Sequence, residues 1–503
     1  YPKTKKFADT FPFELDPFQI EACHALENGK GVLVAAPTGA GKTIVGEFAV
    51  DLVINSGGKC FYTTPIKALS NQKFSELSEK YGESKVGLLT GDTSINSEAQ
   101  IVVMTTEVLR NMIYSNSTTI NDLKYVVMDE VHYLADKFRG AVWEEILIHL
   151  SEAVQVISLS ATVSNAEEFG EWLQTVRGDT EVIVSEIRPV PLYQHVLFGN
   201  RLVDLFGENH KLNPELTRLE RDSYRQVRGT WREKPKGPKS LTRSEVIEKL
   251  DREGLLPAIT FIFSRNNCDA AVRQCLAAGI RLTNSQERSS IREVVAKNIK
   301  SLAEEDLVVL GYYEWADALE RGVAAHHAGL LPAFKVTVEE LFQRGLVKAV
   351  FATETLALGI NMPARTVVLE KLSKWNGEGH VAISPGEYTQ LTGRAGRRGI
   401  DIEGNAVILW NNDLDSTSVG GLASTRTYPL KSSFKPTYNM SINLISQFGS
   451  SRARTSLESS LAQFQADKAV VGLAKQIRKN EGARDDLFNQ SKCDQGDFVE
   501  YSS

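Results

Sequence analysis

The chain has few cysteines and no long apolar segment, and these absences exclude several classes of protein. The cysteines are five among 503 residues, namely Cys23, Cys60, Cys268, Cys275 and Cys493. They form no Cys-x-x-Cys pair and are odd in number, so neither a disulfide framework nor a zinc site is predicted. The chain lacks a run of about eighteen apolar residues that could cross a membrane, and its first residues lack the apolar core of a signal peptide. We therefore expect a cytoplasmic protein without a membrane partner.

Positive charge is also in short supply. The net charge of −6 argues against a protein that coats nucleic acid by bulk electrostatics, although a local basic groove remains open. Residues 221–240 carry seven Arg or Lys and are interrupted by proline and glycine. This composition favours a solvated linker, with a phosphate-contacting segment as the alternative.

The spacing of apolar runs predicts an α/β protein with two tandem parallel-sheet domains. In the first part of the chain the runs cover residues 31–36, 60–64, 86–90, 101–105, 125–128 and 154–160. The pattern restarts at 258–263 and continues at 348–351, 366–369 and 405–409. Runs of this length separated by helical stretches are typical of βαβ units around a parallel sheet. We therefore predict a first domain over 1–185, a linker over 186–250, a second domain over 251–410 and a small, mainly helical region over 411–503.

A glycine-rich loop follows the first apolar run and leads into a stretch that can form a helix. The loop consists of Ala36, Pro37, Thr38, Gly39, Ala40, Gly41, Lys42 and Thr43. Its glycines allow backbone N–H groups to turn toward phosphate oxygens at the start of a helix. Lys42 is expected to reach the β and γ phosphates, and Thr43 is expected to offer its hydroxyl to Mg²⁺.

Two acidic residues follow the run at 125–128. Asp129 is placed at the carboxyl edge of a parallel sheet, where it is a candidate ligand for Mg²⁺. Glu130 is then placed to orient or deprotonate the attacking water. Such a pair alone would indicate a solvated turn, but together with the glycine-rich loop it predicts hydrolysis of a nucleoside triphosphate.

The second domain carries a basic motif at 390–399. Arg394 and Arg397 are three residues apart, so their guanidinium groups can point the same way. Such a pair suits a triphosphate bound in an interdomain cleft, where the arginines would stabilise transition-state charge. A basic helix that faces solvent or binds nucleic acid is the alternative.

With these motifs the chain resembles the superfamily-two helicases of the DExH type, and within them the superkiller-like RNA helicases. The corresponding motifs occur in order at residues 18–19, 63–73, 105–110, 129–132, 160–162, 261–265, 326–332, 352–365 and 390–399. The resemblance implies tandem RecA-like domains. Residues 433–440 and 461–465 resemble the start of the winged-helix region of these enzymes, in particular of their HelY-type branch.

The resemblance assigns roles to further residues. Phe18 and Gln19 would read adenine, which favours ATP, and Gly359 would contact the nucleotide. Gln390 would join the catalytic set. Contacts to a nucleic-acid backbone without base reading are implied for Thr64, Pro65, Lys67, Thr105, Thr106, Arg110, Arg265 and Thr353. His132, Ser160 and Thr162 would couple the ATP site to the nucleic acid, although a lone histidine is more often structural.

A hairpin is predicted between the last two motifs. Asn376-Gly377 lies between two apolar-containing runs, which is a strong hairpin signal. In related helicases a hairpin at this position splits the duplex, so Trp375 becomes a candidate for stacking on bases. A hairpin that only packs on its own domain is the alternative.

These features predict an ATP-dependent RNA helicase that moves 3′-to-5′ on single-stranded or tailed duplex RNA, with ATP and Mg²⁺ as cofactors. The family also implies protein partners in RNA decay or on the ribosome. Two alternatives stay open: a DNA repair helicase of the same clade, and a nucleic-acid-binding scaffold with a weak or regulatory ATPase.

Overall fold

The computed structural model of the chain describes residues 1–137, 139–227, 240–300, 302–357, 362–375, 379–411, 413–425, 427 and 429–490. Gly359, the Asn376-Gly377 turn and the part of the basic segment over 228–239 lie outside these ranges. None of the helices within them has the length and apolar character of a bilayer-spanning segment.

The first domain is built on one twisted sheet. Its strands are β1 (Gly31–Ala35), β2 (Lys59–Thr64), β3 (Val86–Leu89), β4 (Ser94–Ile95), β5 (Ile101–Thr105), β6 (Leu123–Met128), β7 (Gln155–Ser160) and β8 (Thr180–Val184). They lie in the order β4-β3-β5-β2-β6-β7-β1-β8, and all neighbours are parallel except β4 beside β3. Most of these strands are rich in apolar residues because helices cover both faces of the sheet.

The helices of this domain pack on the sheet, and those after β1 connect its strands in βαβ fashion. They are α1 (Pro2–Ala8), α2 (Pro17–Glu27), α3 (Thr43–Ser56), α4 (Lys67–Tyr81), α5 (Thr106–Tyr114), α6 (Ala141–His149) and α7 (Ala166–Arg177). A short 3₁₀ turn, Val131–Ala135, follows β6. Because the strands are parallel, the loops after β1, β2, β5, β6 and β7 open on one edge of the sheet.

The second domain repeats this arrangement. Its strands are β9 (Leu192–Phe198), β10 (Arg201–Asp204), β11 (Ala258–Phe261), β12 (Val323–His326), β13 (Ala349–Ala352), β14 (Thr366–Leu369), β15 (Ser373–Trp375), β16 (His380–Ala382) and β17 (Gly404–Leu409). The main sheet has the order β10-β9-β17-β14-β11-β13-β12, while β15 and β16 form a separate antiparallel pair. The predicted α/β fold with two tandem RecA-like domains is confirmed, with one antiparallel edge strand added to each sheet.

Helices pack on both faces of the second sheet. They are α8 (Pro214–Val227), α9 (Arg243–Arg252), α10 (Arg265–Ala277), α11 (Ser285–Asn298), α12 (Glu304–Val309), α13 (Tyr312–Glu320), α14 (Pro332–Gln343), α15 (Pro385–Thr392) and α16 (Ser416–Ser424). Much of the region predicted as a linker therefore belongs to this domain. Strand β9 pairs in parallel with β17, because Val196 and Leu197 are apolar side chains that the sheet buries.

The C-terminal helices α17 (Tyr438–Glu458) and α18 (Leu461–Gln490) dock on the first domain. Leu461 is buried in the core beside Trp172, whose indole N–H donates to the Ser459 carbonyl at 2.8 Å. The buried carboxylate of Glu144 accepts the Leu461 N–H at 2.8 Å and the hydroxyl of Ser432. Glu144 therefore caps the first turn of α18 with an acceptor from α6, where the helix dipole favours negative charge.

Candidate functional site

The glycine-rich loop adopts the geometry of a phosphate cradle. It follows β1 and precedes α3, and Gly39 and Gly41 have φ angles of 83° and 86°, which favour glycine. Lys42 is buried, and its Nζ donates to the carbonyl oxygens of Ala36 at 2.8 Å and Pro37 at 3.1 Å. Burial lowers the pKa of Lys42, and Glu130 and Asp129 act against that shift. The ammonium group thus lies inside the loop where an anion would sit.

The residues of the adenine motif brace this loop. Gln19 is buried, and its Nε2 donates to the Gly41 carbonyl at 2.9 Å, while its Oε1 accepts the Asp16 N–H at 2.8 Å. A Cβ at Gly41 would lie 2.8 Å from Gln19 Nε2, so glycine is required there for space as well as for conformation. Phe18 is buried beside it in the core. The two residues therefore sit against the loop, and adenine reading remains a prediction.

Asp129 lies at the end of β6, facing the glycine-rich loop. Its carboxylate is buried, accepts the Tyr62 hydroxyl at 3.0 Å and accepts the Glu130 N–H at 3.0 Å. Burial, and after it the charge of Glu130, raises the pKa of Asp129 to about 6. Glu130 itself has a φ of 55°, a left-handed conformation that is uncommon for a non-glycine residue and is often found at functional sites.

His132 joins the acidic pair to the end of β7. Its Nδ1 accepts the Ala161 N–H at 3.2 Å, and Ala161 lies between Ser160 and Thr162, both buried. Burial lowers the pKa of His132 to about 3, with Lys42 adding to the shift, so the ring is neutral and its proton is on Nε2. The structure brings together the three residues predicted to couple the ATP site, although their coupling role remains a prediction.

The second domain supplies arginines to the same cleft. Arg394 follows α15 and is buried, and burial lowers its pKa while Glu130 of the first domain acts against the shift. Arg397 forms a two-point ion pair with Asp401 of its own domain, at 2.7 and 2.8 Å. Thr38 and both arginines line one interdomain cavity of about 460 Å³.

Three residues of the site escaped the sequence analysis. Arg398 donates to the Ala40 carbonyl at 3.0 Å and pairs with Asp16 at 2.9 Å, so it crosses the cleft. The Tyr133 hydroxyl accepts the Gln390 side-chain amide at 3.0 Å, again between the domains, and the Tyr62 hydroxyl donates to Asp129. Arg398 lies within the motif at 390–399 and could have been suspected from it. Tyr62 precedes the motif at 63–73 and Tyr133 follows the one at 129–132, and neither tyrosine carries a sequence signal of its own.

A magnesium–nucleotide complex fits the chemistry of these residues. The cleft offers the ammonium of Lys42, the hydroxyl of Thr43 at the start of α3 and the carboxylate of Asp129, with two positive-φ glycines between them. Oxygen ligands of this kind suit Mg²⁺, and the loop N–H groups and the lysine suit phosphates.

The predicted nucleic-acid residues of the first domain fall into two groups. Thr64 and Thr106 are buried; the Thr64 hydroxyl lies 2.7 Å from the Ser70 hydroxyl, and the Thr106 hydroxyl donates to the Thr64 carbonyl at 3.4 Å. Pro65 and Thr105 are buried beside them. Lys67 is exposed and pairs with Asp92 at 2.6 Å, and Arg110 is partly exposed beside Asn111. The cations are thus the side chains that solvent reaches at this edge.

The second domain presents its predicted contacts at the corresponding edge. Arg265 is exposed at the start of α10, and Thr353 is buried after β13 with its hydroxyl 2.9 Å from that of Thr355. His327 pairs with Asp269 at 3.0 Å rather than with a metal ligand set. Trp375 of β15 is 57% exposed and contacts His380 edge-on. An exposed indole at the end of a short hairpin is suited to stacking on a base.

Comparison with known proteins agrees with this geometry. Residues 16–169 match the DEAD/DEAH box helicase model, and residues 275–399 match the helicase conserved C-terminal domain. The chain is similar to the proteins named probable helicase HelY of Mycobacterium tuberculosis (58% identity) and Mycobacterium leprae (57%), each over 99% of the chain and 56% of the relative. It is 37% identical to human exosome RNA helicase MTR4 over 95% of the chain and 46% of that protein. The chain thus spans about half the length of the curated relatives it matches.

Proposed function

The chain belongs to the superfamily-two DExH helicases, related to HelY and to MTR4, and we propose that it is an ATP-dependent RNA helicase. In this proposal it translocates 3′-to-5′ on single-stranded RNA and unwinds duplexes in cytoplasmic RNA processing or decay. RNA-decay or ribosome-associated proteins are proposed as partners.

The observation that carries the proposal is the cleft between the two sheets. Lys42 and Glu130 enter it from the first domain and Arg394 from the second, close enough that Glu130 acts against the lowering of the pKa of both cations. An ATPase whose catalytic groups are divided between two domains can convert binding and hydrolysis into closing and opening of the cleft.

Each residue has a role in such a cycle. Lys42 and the loop N–H groups hold the phosphates, and Glu130 receives a proton from the attacking water. Mg²⁺, when bound by Thr43 and Asp129, would neutralise phosphate charge. Arg394, together with Arg397 once it leaves Asp401, stabilises the charge that develops on the transferred phosphoryl group.

The choice of RNA is supported by the relationship to MTR4, whose name describes an RNA helicase. Lys67, Arg110 and Arg265 are cations that solvent reaches, and they suit a phosphate backbone, which both RNA and DNA possess. The sugar preference therefore needs a direct test.

The test compares ATP hydrolysis stimulated by RNA and by DNA single strands of equal length, across a range of salt. It is followed by unwinding of RNA duplexes with a 3′ or a 5′ tail. We expect stronger stimulation by RNA, unwinding from the 3′ tail, and no unwinding by Lys42→Ala. Stronger stimulation by DNA would favour a DNA repair helicase, and absence of stimulation by either strand would favour a scaffold.

A further inference from the structure

One contact joins the turn after the acidic pair to the arginine motif across the cleft. Tyr133 lies in the 3₁₀ turn Val131–Ala135, one residue after His132, and its ring stacks on buried Trp143 with an interplanar angle of 21°. The Gln390 side-chain amide donates to its hydroxyl at 3.0 Å. Gln390 is part of α15, which ends just before Arg394. A change in the cleft that displaces this turn must therefore stretch or move a bond to α15.

The same helix also holds the hairpin. Glu387 lies one turn before Gln390 on α15 and forms an ion pair with Lys374 of β15. Lys374 immediately precedes Trp375, the exposed indole of the hairpin. Tyr133, Lys374, Glu387 and Gln390 all line one small cavity of about 250 Å³ at the domain boundary. Helix α15 thus contacts the first domain through Gln390 and the hairpin through Glu387.

Helix α15 is firmly held, so it can transmit a displacement. The Ser384 and Glu387 side chains form a capping box at its start, and Tyr388 is buried with its hydroxyl bonded to Gln194. The hairpin is held less firmly than α15. Its strands β15 and β16 have three residues each, and a two-stranded hairpin is at best marginally stable alone. Its orientation therefore depends on its anchors, of which the Lys374–Glu387 pair is one.

We propose that Tyr133 and the Lys374–Glu387 ion pair are positioning groups that connect the nucleotide cleft to the hairpin through α15. This inference rests on the proposed function, since it supplies the link between ATP turnover and strand separation. Closing of the cleft shifts the turn that carries Tyr133, the shift moves α15 through Gln390, and Glu387 carries Lys374 and the hairpin with it. The hairpin then advances against the duplex once per cycle, and loss of the ion pair uncouples hydrolysis from unwinding.

The experiment measures ATP hydrolysed and base pairs unwound on the same 3′-tailed RNA duplex. Lys374→Met removes the charge, and Glu387→Gln removes the pair while glutamine still supports the capping box. We expect ATP turnover within about twofold of the parent and unwinding lowered about tenfold, the effect of roughly 1.4 kcal/mol from a charge-assisted bond. Lys374→Arg keeps the charge and should restore unwinding.

A second ion pair in the same domain offers a matched control. Lys348 and Glu287 are 2.9 Å apart, their side chains are exposed to a similar extent, and Glu287 also belongs to a capping box, at the start of α11. Lys348→Met and Glu287→Gln should leave both rates at the parent level. An equal loss of unwinding in these controls would show that the effect is structural and would overturn the inference.

Tyr133→Phe tests the first step of the connection. It removes the hydroxyl and keeps the ring, so the number of base pairs unwound per ATP should fall about fivefold, as expected for loss of roughly 1 kcal/mol from one bond, while binding of a fluorescent ADP stays unchanged. A Tyr133→Phe protein that unwinds as many base pairs per ATP as the parent, or a Lys374→Met protein that loses turnover and unwinding in equal proportion, would overturn the inference alone. A parent protein without strand-stimulated hydrolysis would overturn the proposed function and the inference with it.

Discussion

The two domains contribute to the nucleotide cleft in different ways. In the first domain, Lys42 and Asp129 are buried and held by bonds within that domain. In the second, Arg397 is paired with its own neighbour Asp401, and Arg398 already reaches the opposite loop. In the proposed cycle the first half is therefore preorganised for binding, whereas the second half would reach its catalytic arrangement by exchanging ion pairs. This difference predicts that mutations in the two halves will have different kinetic effects.

The largest kinetic difference between the two halves is expected when Arg394 is altered. Arg394→Lys keeps the positive charge but loses the planar fork that can contact two phosphate oxygens. Because an arginine of this kind acts on transition-state charge, kcat for ATP should fall about 10³-fold. Binding of a fluorescent ADP, which depends on the first domain, should change little. A variant that loses binding and keeps kcat would place Arg394 in the binding half.

The corresponding change in the first domain should affect binding itself. Lys42→Ala removes a buried ammonium that the loop carbonyls hold, and we expect turnover to fall about 10²-fold, as for loss of one preorganised donor. Unlike Arg394→Lys, it should also weaken ADP binding, which calorimetry can measure. Lys30→Ala, which alters an ion pair with Glu181 away from the cleft, serves as the control and should leave both quantities unchanged.

The attachment of the C-terminal helices provides a pH-dependent comparison with the cleft. Burial raises the pKa of Glu144 to about 7, while the helix N–H groups and Ser432 act against that shift. The docked state therefore binds more protons than the unfolded chain between the two pKa values, and its stability is present at low pH and lost as the pH rises through about 7. We expect the protection factor of the Leu461 amide to fall by at most about tenfold per pH unit between pH 5 and 7.

Hydrogen exchange with mass spectrometry measures this protection, after correction for the intrinsic pH dependence of exchange. Glu144→Gln keeps a carbonyl acceptor and has no titrating group, so its protection should not vary with pH in this range. A parent protein whose protection is constant between pH 5 and 7 would contradict the prediction.

Much of the fold could be predicted from the sequence, because buried parallel strands are continuous apolar runs. The runs at 31–36 and 101–105 became β1 and β5 almost residue for residue. Strand β9 fell within the predicted linker over 186–250, and its sequence mixes Gln194 and His195 with apolar residues. It lies near the edge of the second sheet, where polar side chains are tolerated, and periodicity alone could not reveal its partner β17.

Some residues of the candidate site could be predicted from the sequence, and others could not. The glycine-rich loop and Asp129 are local motifs, so sequence reasoning could identify them before any geometry was known. Tyr62 and Tyr133 act through a hydroxyl whose partner is distant in sequence, and such a pair becomes visible only after folding. The pairing of Arg397 with Asp401 was also unforeseen, because a motif indicates which residues approach the phosphates but not where they rest beforehand.

The smallest expected effect concerns Arg398, the arginine that already crosses the cleft. Its pair with Asp16 is about one-third exposed on each side, so solvent screening limits the pair to at most about 1 kcal/mol. Arg398→Ala should therefore weaken ADP binding by no more than about fivefold and leave kcat within the same factor, because the contact holds the domains together without touching the reacting groups. Arg252→Ala, which removes an exposed pair with Glu248, should have no effect on either quantity. A loss of kcat as large as that of Arg394→Lys would show that Arg398 acts on the transition state rather than only holding the domains together. The contrast between a preorganised first domain and a second domain that exchanges ion pairs would then no longer hold for Arg398.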